Sequence, residues 1–446
     1  MINKLYTLMN ENPVDLVKLH AMIAKMNTVD IADAFDLLDS EKLIRVFRLL
    51  PKSIAAEVFS YITHERQQII VEALTDAEAG RIIDQLFVDD AVDFIEEMPA
   101  NVVKRVLRNI SEDKRKTINQ ILQYPDDSAG SIMTTEYVDL KEHTTVKEAF
   151  DIIRATGVNK ETIYTCYVIQ RDKVLIGMVT AKDLLLAKPE DKISEIMDTN
   201  LIFAHTTDDQ EAIAALFSRY SLLSLPVVDK EQRLVGIVTF DDIVEIIHEE
   251  NTEDMERMAA INPSEEPYMK TGIFTHTRNR ILWLTFLMLS ATISVNIIDS
   301  YQESLAVVPL LLAYIPVLMG TGGNAGAQTC TMIVRGIALN EINYKNLLIV
   351  LWYEIRIALF CGAILAIVNF IRVFILNSKD YMICLTISLA LVATVVIAKS
   401  VGCMLPLIAK RIGLDPAIMA APLITTIVDA SSLIVYFTIA RLILGI

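Results

Sequence analysis

Apolar positions in the first 130 residues recur at intervals of three and four. Leu43, Val46, Phe47 and Leu50 make one such set; Val102, Val103, Val106, Leu107 and Ile110 make another. This spacing predicts short amphipathic helices of roughly 10–14 residues. Breaks are expected near Pro51, Thr75–Asp76 and Pro99. Similar helix–turn units in series predict a small all-α superhelix. From residue 131 the pattern becomes a tandem repeat. IMTTEYVDLKEHTTVKEAF is echoed by IMDTNLIFAHTTDDQEAIAALF, and each is followed by a strand, a turn, a strand and a helix. The match is closest where Gly177-Met-Val-Thr180-Ala-Lys182-Asp183 aligns with Gly236-Ile-Val-Thr239-Phe-Asp241-Asp242, at an offset of 59.

After residue 240 the chain reads as a long acidic helix, with Pro263 and Pro267 placed to end it before the membrane. Five apolar stretches then follow, at about 281–298, 305–334, 347–371, 382–408 and 416–440. Each is long enough for ~30 Å of hydrocarbon. The second contains Gly320-Thr-Gly-Gly-Asn324-Ala-Gly-Ala-Gln328-Thr329. Glycine at that density either breaks the helix around a water-lined path or lets helices pack closely. The polar Thr321, Asn324, Gln328 and Thr329 favour an interrupted span. The fifth stretch carries Asp429 in its middle, with Thr425 and Thr426 one turn earlier and no Lys or Arg within two turns. A carboxylate at bilayer depth costs at least ~2.5–3.5 kcal/mol and usually has a cationic partner. A mobile cation would fill that place, so Asp429 predicts a cation pathway. Glu354 and Arg356, beside Trp352 and Tyr353, read as an interfacial group.

Charge divides the chain. Of 40 Lys+Arg and 56 Asp+Glu, 11 and 7 lie from His276 onward, leaving 29 and 49 before it: a net of +4 behind a front half at −20. That explains how a mean hydropathy of +0.42 coexists with 22% charged residues. So negative a front excludes nucleic acid as a partner. The N-terminus has no apolar signal-peptide core, which places the front half in the cytoplasm. Alternation then puts Arg278, Arg280, Arg335, Lys345, Lys410 and Arg411 inside and Arg372, Lys379 and Arg441 outside, in line with the positive-inside tendency. The C-terminus would be extracellular or periplasmic. The five cysteines form no CxxC pair and read as reduced; the six histidines lack ligand spacing.

Two acidic sets are candidates for divalent cations. Asp89, Asp93 and Glu97 lie at i, i+4, i+8, and Asp241, Glu245, Glu249 and Glu253 form an unbroken i,i+4 ladder with Asp242 and Glu250 beside it. Like charges at this spacing repel along a helix face. A shared divalent ion would turn that repulsion into a bridge. The alternative is a solvated acidic surface.

The repeat resembles a pair of CBS domains. By that resemblance Thr180, Lys182, Asp183, Thr239 and Asp242 are candidates to hold an adenine nucleotide such as ATP, with Tyr167 as a base-stacking partner. Helix capping by the same Thr and Asp is the simpler role. The whole chain resembles the MgtE magnesium channels and transporters, most specifically at IPVLMGTGGNAGAQ (315–328) and GLDPAIMAAPLITTIVD (413–429). The resemblance implies a multi-domain membrane protein. Its parts would be a helical N domain (1–130), CBS units at 131–190 and 191–248, a connecting plug helix (249–275) and a five-span pore domain (276–446). It implies a homodimer in the cell membrane that takes up Mg2+ and other divalent ions, with the pore between second and fifth spans. Asp429, Thr425, Asn324 and Gln328 would meet the ion. Asp89, Asp93, Glu97, Asp241, Asp242, Glu245, Glu249, Glu250, Glu253 and Asp415 would sense intracellular magnesium and gate the pore. A nucleotide-sensing receptor without transport and an intramembrane aspartyl protease are the rival readings. The protease would need a GxGD turn, which the chain lacks.

Overall fold

The computed structural model describes residues 2–11, 15–264, 268–269, 271–339, 341–376, 380–419 and 421–445. Pro267 and Lys379 therefore lie outside the described residues. The chain divides into two compact units, Met1–Ile247 and His248–Ile446.

The front unit begins with ten helices among the described residues, from α1 (Ile2–Met9) and α2 (Leu16–Ile23) to α10 (Glu112–Ile121). Between them lie α3 (Thr28–Asp36), α4 (Ser40–Phe47), α5 (Lys52–Ser60), α6 (His64–Ala73), α7 (Asp76–Gln85), α8 (Val88–Glu96) and α9 (Ala100–Asn109). The expected breaks are helix starts. Pro51 and Pro99 occupy the N-cap positions of α5 and α9, and Thr75 closes a capping box with Glu78 at α7. The odd-numbered helices pack in series, α1 on α3, α3 on α5, α5 on α7 and α7 on α9, with α4 on α6 and α8 on α10, as stacked units must when one face is apolar. Phe35, Phe47, Phe59 and Phe94 run through the core as an edge-on ladder with centroids 6.2, 6.0 and 5.4 Å apart.

The repeat folds as two matching three-stranded sheets. In the first, β1 (Val138–Leu140) pairs parallel with β2 (Thr165–Ile169), which pairs antiparallel with β3 (Leu175–Thr180). In the second, β4 (Ala204–His205), β5 (Ser224–Val228) and β6 (Leu234–Thr239) repeat that order. The helices are α11 (Val146–Thr156), α12 (Ala181–Leu186), α13 (Ile193–Ile196) and α14 (Gln210–Tyr220). The two repeats are interlaced. Met133, which introduces the first, lies over Gly236 of the second, and Met197, which introduces the second, lies over Gly177 of the first. A Cβ at either glycine would meet methionine sulfur at 2.6 Å.

The acidic helix α15 (Phe240–Met258) starts directly after β6, so the connecting helix continues the second repeat instead of beginning near 249. It ends earlier than Pro263. Ala260 takes a left-handed φ of 55° and Ile261 N–H closes back on the Glu256 carbonyl, which finishes the helix.

Five helical segments among the described residues are long and apolar enough to cross a membrane. The first is α16 (Ile273–Ser290) running into α17 (Thr292–Ser300); α18 (Gln302–Val307) follows. The others are α19 (Leu310–Ala338), α20 (Leu347–Leu376), α21 (Tyr381–Arg411) and α22 (Ala421–Leu444). The expected interruption of the second span is corrected here: α19 is one unbroken helix of 29 residues through its glycines and Pro316. The glycines serve close packing. A Cβ at Gly322 would meet Thr394 and Val428 at 2.8 Å, one at Gly326 would meet Ile424 at 2.7 Å, and one at Gly402 of α21 would run into the Gly326 carbonyl.

This packing generates a paired expectation. Nothing lies within 4 Å of a Cβ at Gly320. Gly320→Ala should leave the melting point in detergent level or raise it, because alanine favours a helix interior by ~0.5–1 kcal/mol. Gly402→Ala should destabilise by about 1–3 kcal/mol, since the α19 backbone blocks the new methyl. Equal melting points for the two variants would contradict the packing.

Candidate functional site

The membrane unit places Asp429 and Thr425 on α22 where it crosses α19. Gly323 of α19 lies under Thr425, with a Cβ contact of 3.1 Å. Tyr436 of α22 donates its hydroxyl to the Leu311 carbonyl of α19 at 3.0 Å, fixing the two helices near their other ends. Thr425 turns its hydroxyl onto the Pro422 carbonyl at 2.8 Å. Asp429 is half-buried, and among the described residues no neighbouring charge acts on it. Asn324 and Gln328 are exposed on an α19 face shared with Gly320. That face carries amides at membrane depth, where polar groups line water or meet another protein surface. The four residues read from the sequence thus occupy two neighbouring helices, the carboxylate on one and the amides on the other.

The same unit contains a cation that the sequence reading passed over. Lys399 of α21 is buried, at 7% exposure. It donates to the Thr329 hydroxyl at 3.0 Å, and Thr329 donates to Glu354 Oε2 of α20 at 3.0 Å. The ammonium lies 3.8 Å from that carboxylate. Glu354 is therefore an internal group and not an interfacial one, although Trp352 and Tyr353 beside it are exposed. The signal was available: a lone Lys in the middle of a span needs a partner.

At the end of α15 a second basic residue was missed. Arg257 pairs with both Glu253 on its own helix and Asp415 in the turn before α22. Asp415 also accepts from Ala417 N–H at 2.8 Å, which caps that turn. Arg257 stands four residues beyond Glu253, so the acidic ladder's own spacing pointed to it. Glu249 and Glu250 lie one turn earlier on the helix.

The front unit gathers the other carboxylates. Asp89, Asp90 and Asp93 of α8 meet Glu161, which lies outside regular structure, and Asp241, Asp242 and Glu245 at the start of α15. Burial first, and then the charge of Asp242, hold Asp89 well above the usual carboxylate range. The same causes in the same order push Asp90 up to about 6 and Glu161 up to about 8. Asp93, at the open rim, is raised by desolvation and then by Asp90 and Asp242. Asp242 is itself pushed up to about 6 by burial, with the Asp241 and Glu245 charges adding to it and a hydrogen bond from Thr239 opposing it. Lys114 stands near Asp89 and Asp90, but its ammonium is donated to the Leu86 carbonyl. Glu97 is exposed at the C-cap of α8. Asp90, Glu161 and Lys114 thus join a site read from sequence as Asp89, Asp93, Asp241, Asp242 and Glu245. No spacing rule reaches Glu161, because the fold alone brings it to α8. Among the described residues no three His, Cys, Asp or Glu side chains converge into a direct metal shell. Carboxylates arranged so loosely suit an ion that keeps its waters.

In the repeat, Thr180 and Asp183 form the capping box of α12, with Oγ1–Oδ2 at 2.5 Å, and Thr239 bonds Asp242 at 2.6 Å. Lys182 is exposed. Tyr167 is corrected: it is wholly buried, edge-on to Tyr137, with its hydroxyl on Ser224 at 2.7 Å, so it presents no face to a base.

Comparison with known proteins places these features in context. A family model described as a divalent cation transporter matches residues 315–439, one for an MgtE intracellular N domain matches 26–127, and CBS domain models match 129–190 and 193–249. A magnesium transporter, MgtE, of Thermus thermophilus is 33% identical over 439 residues, covering 96% of each chain. Its namesake in Bacillus subtilis is 31% identical, covering 92% of this chain and 93% of its own. The crystal structure of the cytosolic domain of the Mg2+ channel MgtE in complex with ATP covers 52% of this chain and 95% of its own at 33% identity, with a TM-score of 0.50. That of the soluble part of a magnesium transporter covers 56% and 99% at 25% identity, with a TM-score of 0.53.

Proposed function

This chain belongs to the MgtE family of divalent cation transporters, and we propose that it carries Mg2+ across the membrane along a path formed by α19 and α22. The observation that carries the path is Asp429, a carboxylate at membrane depth beside which no charged group stands among the described residues. The family comprises ion transporters, which sets aside both the protease and the receptor without transport. Mg2+ dehydrates reluctantly and keeps several waters, so one or two carboxylates suffice to hold it. The exposed amides of Asn324 and Gln328 can accept from the ion's waters without stripping them. Two chains meeting along the α19 face would complete the path and pair two Asp429 side chains; a homodimer is part of this reading. So is an N-terminus in the cytoplasm and a C-terminus on the far side.

The acidic site of the front unit is the proposed sensor. Asp89, Asp90, Asp93, Glu161, Asp241, Asp242 and Glu245 crowd together at the cost of mutual repulsion. Hydrated Mg2+ ions relieve it and favour the closed arrangement. Glu249 and Glu250 form the corresponding region beside the pore, next to Glu253 and Asp415, which Arg257 ties together. A nucleotide would choose the first repeat, at Thr180, Lys182 and Asp183. The equivalent place in the second repeat ends at Asp242, whose acidic neighbours repel phosphate.

Asp429→Asn should lower Mg2+ flux into liposomes by 10-fold or more, on the order of one lost ion contact, with the melting point kept. Unchanged flux in a folded variant removes Asp429 from the path. Calorimetry of the full chain with millimolar ATP should show binding that Asp183→Ala abolishes; no heat for the wild type ends the nucleotide reading.

The sensor predicts a pH dependence. Its carboxylates have folded-state values raised above the ordinary 3.8–4.5, so protonation favours the folded, ion-free cluster. That contribution is complete below the unfolded values and is lost as pH rises through about 6 to about 8. In chelator, residues 1–247 should melt at progressively lower temperature from pH 5 to pH 8. At pH 8, Mg2+ should raise the midpoint, and in patches of the full chain it should lower open probability from the cytoplasmic side. A midpoint and a current that both ignore millimolar Mg2+ would leave the acidic site a solvated surface.

A further inference from the structure

The Lys399–Thr329–Glu354 group does something that the transport reading leaves unassigned. Three helices, α19, α20 and α21, each supply one member. By connectivity, the Ala338, Leu347, Arg411 and Ala421 helix ends all lie on one side of the membrane. At 1.5 Å per residue, Glu354 lies ~10 Å, Thr329 ~14 Å and Lys399 ~18 Å in from those ends, with Asp429 at ~12 Å. The group therefore shares its depth with Asp429. It also adjoins the proposed path, since Thr329 follows Gln328 on α19 and lies one turn beyond Gly326, which packs on Ile424 of α22.

A lone carboxylate at that depth would demand a cation. Were Lys399 absent, the cation on offer would be the one in transit. Lys399 forecloses this. Its ammonium, 3.8 Å from Glu354 Oε2, balances that carboxylate's charge and repels a second cation that approaches. Thr329 completes the arrangement by accepting from Lys399 while donating to Glu354.

We propose that Lys399 is a resident counter-ion: it neutralises Glu354 so that this carboxylate cannot act as a second divalent-ion site, and Asp429 is left as the place where the ion pauses. Lys399 is thus a positioning residue for selectivity and rate, acting through Glu354. The inference rests on the transport reading for its consequence, but the charge balance can be tested by ion binding alone.

The test counts bound ions and measures flux in the full chain. Removing the ammonium in Lys399→Met should create one additional Mn2+ site per chain, read by electron paramagnetic resonance with Mn2+ as the only divalent ion. In liposomes the same variant should show half-saturating Mg2+ lowered by on the order of tenfold, together with a lower maximal flux, because an uncompensated carboxylate traps the ion. Adding Glu354→Gln should remove the extra site and bring half-saturation back toward wild type. Lys399→Gln, which keeps a donor for Thr329, serves where the methionine variant fails to reach the membrane. An unaltered Mn2+ count in both Lys399 variants overturns the proposal. So does a fall in maximal flux at unchanged half-saturation that the double variant fails to relieve, which is the signature of a purely structural tie. Wild-type liposomes that move no divalent ion would instead overturn the transport reading, while the Mn2+ count would still decide the role of Lys399.

Discussion

A carboxylate taken out of bulk water must be given a cation, a proton or a set of hydrogen bonds. The chain meets this demand differently at each of its acidic places, and those differences organise the molecule. Glu354 has Lys399 and the Thr329 hydroxyl. Glu253 and Asp415 share Arg257. Asp429 has no charged neighbour among the described residues. In the front unit the carboxylates crowd around Lys114, whose ammonium is already donated to a carbonyl. Where the protein supplies the cation, the contact is a fixed tie between helices. Where it does not, a mobile ion can enter, and this separates ties from proposed sites without appeal to sequence motifs.

The ties also tell how the membrane unit holds its shape. Lipid tails are as apolar as leucine, so spans gain little from burying leucine against one another. Close backbone approach and internal polar contacts take over. Gly322, Gly323 and Gly326 bring α19 against α21 and α22, and Gly402 answers Gly326 from the other side. The Thr329–Lys399 contact then ties α19 to α21, and the Tyr436–Leu311 contact ties it to α22. A helix held on two sides can present Asn324 and Gln328 on its remaining face, which is why the polar face of α19 points away from its own chain.

In the front unit the interlacing of the two repeats has a similar consequence. Because Met133 sits on Gly236 and Met197 on Gly177, neither repeat is complete without the other. The α15 helix grows directly out of the second repeat, so Asp241, Asp242 and Glu245 are held by the folded pair and not by a loose linker. Arg257 lies on the same continuous helix as those carboxylates.

Much of this was legible in the sequence. The change from three-and-four spacing to a tandem repeat to unbroken apolar runs laid out the order of the parts, and the offset of 59 marked the repeat. Asp429 stood out because isolation from Lys and Arg is a property of a short stretch. The i,i+4 acidic ladders were visible for the same reason, since helical neighbours are sequence neighbours. What only the tertiary structure decided depends on distant pairs. Glycine in a span signals both unwinding and close packing, and the choice fell to packing because Thr394, Gly402, Ile424 and Val428 occupy the space around α19. Tyr167 lies in a strand whose every position is buried, so its match to a base-stacking role failed once the second repeat closed over it through Ser224. Arg257 meets Asp415 across 158 residues, and Lys399 meets Thr329 across 70. Local pattern tells which faces are apolar or charged; which charge answers which is settled only when the chain has folded.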